Sequence, residues 1–137
     1  MNILVTGGAG YIGSHACKLL SSVGYIPVTI DNLSTGWSEA VKFGPLEALD
    51  LLDRGALETV FEKYQPSAVL HFAAFSQVAE SVDSPSKYWR NNFIGSLNLF
   101  EACVSTGCAK VIFSSTCATY GDHDNVILSE DSKQHPV

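Results

Sequence analysis

Three glycines at three-residue spacing, Gly7, Gly10 and Gly13, follow directly on a short apolar run, Ile3-Leu4-Val5, that ends at Thr6. The run is rich in β-branched residues and reads as a buried parallel strand, after which the pattern becomes helical. That order constrains the fold. Gly7 lets the chain turn sharply off the strand, Gly10 lets backbone N–H groups approach a pyrophosphate, and Gly13 lets the new helix pack closely on the sheet. The helix N-terminus then turns its unpaired N–H groups and positive dipole end toward the phosphates. Strand, glycines and helix in this sequence point to dinucleotide binding.

Composition narrows the partners. The 137 residues suffice for one domain with a sizeable core, and 46% of them are hydrophobic. Fourteen acidic residues against eight basic ones give a net charge of −6, with no basic cluster. Neither nucleic acid nor an anionic membrane is expected as a partner. Cys17, Cys103, Cys108 and Cys117 are irregularly spaced and contain no C-x-x-C, so no metal site is expected. Reduced, mostly buried thiols fit a cytoplasmic protein. Met1 leads straight into a strand with no basic n-region or long apolar segment, so neither a signal peptide nor a membrane span is expected.

Along the chain, Ser14 to about Val23 is predicted as the first helix, with Ile12, Ala16, Leu19, Leu20 and Val23 recurring at helical spacing. Pro27–Ile30 is the second strand and ends at Asp31. An acidic residue there is placed to accept hydrogen bonds from ribose hydroxyls, and its charge would repel a 2′-phosphate, so NAD is favoured over NADP. A turn or cap role for Asp31 stays open. Asn32, Leu33, Ser34, Thr35 and Gly36 form a polar loop beside that ribose. Glu47–Leu49 is a weak third strand, and Asp53 is placed to cap a helix from Arg54 to Lys63. Asp50, at the end of that strand, is positioned either to meet an adenine amino group or to cap a turn. Ala68–Phe72 is the fourth strand, and Ala73-Ala74 after it are small enough for a cofactor to pass closely. Pro85 opens a long helix to about Thr106, with Gly107 as its stop and Trp89, Phe93, Leu97, Phe100 and Val104 as its apolar stripe. Asn91 and Asn92 interrupt it, and amides beside a core face call for specific partners. Val111–Phe113 is the fifth strand, ending in Ser114-Ser115-Thr116.

Alternating strands and helices with right-handed crossovers predict an α/β fold, a Rossmann-type doubly wound parallel sheet in the order 3-2-1-4-5. Ligands then bind outside the carboxyl ends of the strands, where all the residues singled out converge.

Five stretches occur in one order: T-G-G-A-G-Y-I-G-S-H (Thr6–His15), D-N-L-S-T-G (Asp31–Gly36), H-F-A-A (His71–Ala74), Y-W-R-N-N (Tyr88–Asn92) and F-S-S-T-C-A-T-Y-G (Phe113–Gly121). Together they closely resemble the N-terminal part of the UDP-glucose 4-epimerases, within the extended short-chain dehydrogenase/reductases. The resemblance spans essentially the whole chain. It implies an NAD-binding domain over 1–137, incomplete at its C-terminus, taken from an enzyme that inverts C4 of a UDP-sugar through a 4-keto intermediate. It also implies a homodimer for the full-length enzyme. Residue by residue, it places Gly7, Gly10, Tyr11, Ile12, Asp31, Asn32, Asp50, Leu51, Phe72, Ala73, Ala74, Asn91 and Ser114 around NAD, and Thr116 beside the sugar's 4-hydroxyl. Many family members have a lysine where Ser76 stands, reaching the nicotinamide-side ribose. Ser76 is short and uncharged, which departs from that pattern.

The family's proton-transfer pair, Tyr-x-x-x-Lys, is absent downstream of Thr116. Acid–base catalysis is worth roughly 10²–10⁴-fold, so the 137-residue chain alone is expected to be an inactive fragment. Two alternatives accompany this reading. T-C-A-T-Y-G also resembles epimerases acting on UDP-pentoses, and a non-catalytic NAD-binding module would keep the same cradle. A 4,6-dehydratase would place an acidic residue after the strand-end hydroxyl, where Cys117 and Ala118 stand here. Loss of the sheet's next neighbour would leave the fifth strand as an edge and the long helix with apolar surface exposed.

Overall fold

The apolar run after Met1 is the central strand of the sheet. This strand, β1 (Asn2–Thr6), pairs in parallel with β2 (Ile26–Asp31) on one side and β4 (Ala68–His71) on the other, with Thr6 opposite both Ile30 and His71. With β3 (Leu46–Ala48) beside β2 and β5 (Val111–Phe113) beside β4, the order is β3-β2-β1-β4-β5, as expected. The computed structural model describes residues 1–122 and 127–136. The helices are α1 (Tyr11–Ser22), α2 (Arg54–Tyr64), the short α3 (Val78–Asp83) and α4 (Pro85–Tyr88), and α5 (Gly95–Thr106). Among the described residues no helix is long and apolar enough to cross a membrane.

Alternation along the central strands divides the core into two layers. Leu4, Val28, Ile30 and Val69 face α2 and α5, whose Leu57, Val60, Phe61, Leu99, Ala102 and Cys103 close that layer. Leu4, Leu57, Phe61 and Leu99 are each removed from water almost completely, worth about 1.5–3 kcal/mol apiece. Ile3 and Val5 face the opposite way, onto Cys17 and the half-buried Leu20 of α1. Asp53 caps α2 as expected, its side chain accepting from the Ala56 N–H at 3.0 Å.

Three expectations need correction. α1 begins at Tyr11 rather than Ser14, because Gly10 serves as an extended N-cap (φ −81°, ψ 175°) immediately after the turn. Its buried stripe is Gly13, Cys17 and Leu20, while Ile12, Leu19 and Val23 are exposed. Gly13 decides this: a Cβ at that position would lie 2.2 Å from the Gly7 carbonyl oxygen, so the hydrogen-only face of the helix goes against β1. Third, the segment from Pro85 to Thr106 is helical throughout, but Trp89–Ile94 winds as a wide π-turn between α4 and α5. The inserted turn shifts which side chains face the sheet. The buried face of α5 is Gly95, Ser96, Leu99, Ala102 and Cys103, and Trp89, Phe93, Leu97, Phe100 and Val104 lie on the outside. Val111, Ile112 and Phe113 of β5 are exposed as well.

Among the polar side chains buried in this core, one is a histidine. His71 at the end of β4 is 2% exposed, hydrogen-bonded by Thr6 of β1 and Ser96 of α5. Phe100 meets its ring edge-on and Phe113 lies tilted against it. Burial alone holds the imidazole pKa below its ordinary 6.5, at about 4.

Two predictions follow from this packing. Gly13→Ala is expected to cost about 2–3 kcal/mol, because the added methyl must push α1 off the Gly7 carbonyl. A urea midpoint equal to that of the parent would show that the helix can shift at no cost. Second, the unfolded chain binds a proton on His71 near pH 6.5 and the folded chain resists until about pH 4. The stability this contributes is fully present above pH 6.5 and lost as pH falls toward 4, on the order of 3 kcal/mol in all. Urea unfolding at pH 7 and pH 4.5 should show that loss in the parent and a smaller one in His71→Gln; equal losses would refute it.

Candidate functional site

The carboxyl edge of the sheet is where the chain leaves β1, β2 and β4 without a helix above it. The turn after β1 is locked by backbone bonds: Gly7 N–H donates to the Ile30 carbonyl at 2.8 Å, and Gly10 N–H to the Gly7 carbonyl at 3.0 Å. Gly7 has φ +70°, and a Cβ there would strike Ala73 N at 2.8 Å and the Phe72 carbonyl carbon at 2.9 Å. The glycine loop and the segment after β4 therefore close on each other with no side chain between them. The first N–H groups of α1 have no intrahelical partner. Gly10 supplies no capping side chain and the first turn carries no acidic residue, so the protein leaves that positive end to an anion from outside.

The loop after β2 is tied to the glycine turn. Asp31, 9% exposed, accepts the Ala9 N–H on one carboxylate oxygen (3.0 Å) and the Leu33 N–H on the other (2.8 Å). The Trp37 N–H donates to the Ala9 carbonyl at 3.1 Å, and Leu33 takes a left-handed φ of +58° to make the turn. Asp31 is thus a turn residue, and it also lines the groove beside the glycines. At the far rim, Asp50 accepts the Leu52 N–H (2.9 Å) on one oxygen and the Asn32 side-chain amide (2.9 Å) on the other. Asn32 in turn accepts the Ser34 N–H at 3.1 Å.

These ties form one groove of about 130 Å³. Of the residues expected at the site, Gly7, Gly10, Asp31, Asn32, Ser34, Thr35 and Gly36 line it from the first two strands, and Asp50, Leu51, Phe72, Ala73, Ala74 and Asn91 from the others. Ser76, Ser114 and Thr116 lie instead in an adjoining cavity of about 450 Å³, which shares the wall Phe72–Phe75 with the groove. Tyr11, Ile12, Gly13 and Leu33 line neither. Tyr11 is 82% exposed and Ile12 is exposed too, so their side chains turn to solvent and only backbone faces the turn. Gly13 is packing, against Gly7. Thr116 accepts the Ala118 N–H at 3.2 Å as the cap of a short 3₁₀ turn, Cys117–Tyr120, while still reaching the cavity.

The structure adds residues that spacing did not single out. Phe75 lines both spaces, and Asn92 clamps it: the Asn92 side chain accepts the Phe75 N–H at 2.9 Å and donates to the Phe75 carbonyl at 3.0 Å. Asn91, which lines the groove, donates to the same Asn92 oxygen at 2.8 Å. The adjacent amides in Y-W-R-N-N were the signal, but the π-turn that aims both inward is not legible in spacing. Tyr88 closes the second cavity, its hydroxyl donating to Glu80 at 2.8 Å and accepting the Gln77 N–H at 3.1 Å.

Comparison with known proteins agrees with this geometry. The chain matches the NAD dependent epimerase/dehydratase family over residues 3–137. It is 52% identical over 136 residues to the UDP-glucose 4-epimerase of Rhizobium meliloti (strain 1021), covering 99% of this chain and 42% of that protein. The UDP-glucose 4-epimerase of Brucella ovis, solved in complex with NAD, superposes with a TM-score of 0.92 at 51% identity, over 99% of this chain and 42% of that one. The enzyme of Thermotoga maritima, solved with UDP-glucose, gives 0.90 at 40% identity, over 100% of this chain and 45% of that one. The chain thus spans about two fifths of the length of the relatives it matches, and it belongs to the NAD dependent epimerase/dehydratase family.

Proposed function

We propose that this chain is the NAD-binding part of a UDP-sugar 4-epimerase of the UDP-glucose type. The observation that carries the reading is the open groove at the carboxyl edge, where an uncapped helix N-terminus, the Asp31 carboxylate and the side-chain-free approach of Gly7 to Ala73 meet. The residues fit the cofactor. Gly7, Gly10 and the first turn of α1 would take the pyrophosphate, with the backbone of Tyr11 and Ile12 supplying N–H groups and Gly13 holding the helix close. Asp31, with one lone pair on each oxygen already used, would accept ribose hydroxyls with the rest, and its charge disfavours a 2′-phosphate. Asp50 and Leu51 would meet the adenine, and Phe72, Ala73, Ala74 and Asn91 would carry the chain of the cofactor toward the second cavity.

NAD, when bound, would accept a hydride from sugar C4 and return it to the other face. Ser114 and Thr116 edge the cavity where that sugar would sit, and Thr116 offers a hydroxyl to O4. Ser76 lies in the same cavity and would contribute a neutral hydroxyl where the family pattern has a cation. The sequence contains no Tyr-x-x-x-Lys, the pair that in the family takes the O4 proton, and on that ground we read the chain by itself as inactive. We place the full enzyme in the cytoplasm as a homodimer; the exposed stripe Trp89, Phe93, Leu97, Phe100 and Val104 supports an apolar interface.

Isothermal titration of the purified chain tests the cradle. NAD should bind, NADP at least about tenfold more weakly, and Asp31→Ala should lose about ten- to hundredfold in NAD affinity, the worth of hydrogen bonds to a charged acceptor. Equal binding of NAD and NADP would remove the role given to Asp31. Incubation of the same chain with UDP-galactose and NAD should give no UDP-glucose; measurable epimerisation would show that another group serves as the base.

A further inference from the structure

The wall shared by the two cavities, Ala73–Phe75, is held at both ends by one circuit of hydrogen bonds that runs through the core. The Ala73 N–H donates to the Thr6 hydroxyl oxygen at 3.4 Å, and that hydroxyl lies 2.5 Å from Nδ1 of His71. On the other side of the ring, Nε2 lies 2.8 Å from the Ser96 hydroxyl, which donates to the Asn92 carbonyl. The Asn92 side chain completes the circuit on the N–H and carbonyl of Phe75.

The ends of the circuit fix its direction. A carbonyl only accepts, so the Ser96 proton goes to Asn92 and the Ser96 oxygen must receive a proton from His71 Nε2. A neutral ring with Nε2 protonated has a bare Nδ1, so Thr6 donates to it and in turn receives the Ala73 N–H. Every polar atom along the path then has its partner in a layer otherwise built of hydrocarbon. A leucine of similar size would satisfy the packing; the hydrogen bonds are what the histidine adds.

We propose that His71 is a positioning residue of the cofactor wall, which in its Nε2–H form fixes Ala73 through Thr6 and Phe75 through Ser96 and Asn92. The proposal rests on the reading of the groove as an NAD site and adds a residue that is not part of the groove's lining, that borders the second cavity while only 2% exposed, and that acts on the wall through Thr6, Ser96 and Asn92. Its depressed basicity keeps the ring in the neutral form that the circuit requires.

The test compares His71→Leu, which keeps volume, with His71→Gln, which keeps one acceptor and one donor. Circular dichroism checks the fold, calorimetry measures NAD, and ¹⁵N-resolved NMR reads the ring tautomer and the Ala73 and Phe75 amides. His71→Leu should weaken NAD about tenfold, the effect of one to two lost hydrogen bonds, while His71→Gln stays within about threefold. The parent ring should show Nε2 protonated and Nδ1 bare, and the two amides should move in His71→Leu more than in His71→Gln. Unchanged NAD affinity in a folded His71→Leu, or an Nδ1–H ring, overturns the proposal. If His71→Leu does not fold, Ser96→Ala takes its place, with the same loss expected and the same result overturning it. Failure of the parent to bind NAD would overturn the cofactor reading instead, and the tautomer and amide shifts would still decide the part played by His71.

Discussion

The contact on which the site depends is the one between Gly13 and the Gly7 carbonyl, so close that a Cβ would lie 2.2 Å from the oxygen. A helix brought this near its preceding strand must start at once, which puts its first turn at the sheet edge and not above it. It also fixes helix rotation, since the face carrying Gly13 has to be the inner one. Cys17 is then buried and Leu20 half-buried, Ile12 and Leu19 are exposed, and the unpartnered N–H groups open on the groove. Dipole, groove and core packing follow from a missing methylene.

A second theme is that the polar residues of the groove work for the fold before they meet any ligand. Asp31 holds the glycine turn to its own loop, and Asp50 and Asn32 tie the loops after β3 and β2 to each other. The structural and the binding interpretations of these carboxylates are therefore not alternatives. A carboxylate has about four lone-pair positions, two on each oxygen. Two backbone donors on Asp31 leave it aimed and still able to accept, and they remove the side-chain entropy that binding would otherwise have to overcome.

Much of this was legible in the sequence, for identifiable reasons. Strand order and the glycines, Asp31 and its loop follow from short-range rules, an apolar run, glycines at fixed spacing and an acidic strand end, whereas Leu51, Phe72 and Asn91 were placed at the groove by the family resemblance. Helix faces were misjudged where two adjacent stripes were both apolar. Leu19 and Leu20 are neighbours in sequence with similar hydropathy, and only Gly13 distinguishes inside from outside. Trp89, Phe93, Phe100 and Val104 look like core, while the true inner face of α5 includes the small residues Gly95, Ser96 and Ala102, of which Gly95 lets the helix approach Leu51. The π-turn has no periodic signature, so the inward aim of Asn91 and Asn92 was out of reach, and with it the clamp on Phe75.

His71 shows how a buried histidine can shape a groove whose lining it does not join. Its cost is the loss of hydration, visible in the lowered basicity, and that cost is offset only if both ring nitrogens are paired. The pairing partners come from β1 and α5: Thr6 accepts the Ala73 N–H directly, and Ser96 bonds the carbonyl of Asn92, whose side chain holds Phe75. An apolar residue would leave Thr6 and Ser96 without these bonds, and the direct bonds from Ala73 to Thr6 and between Asn92 and Phe75 would lose the ring that aligns their partners. All the hydrogen bonds that shape the groove, from Thr6 through Asp31 and Asp50 to Ser96, join residues lying before β5. The hydrogen bonds of the cradle are thus complete without β5, but its packing is not: Phe100 and Phe113, each partly exposed, lie against His71, so the apolar surface of β5 and α5 meets the wall of the site.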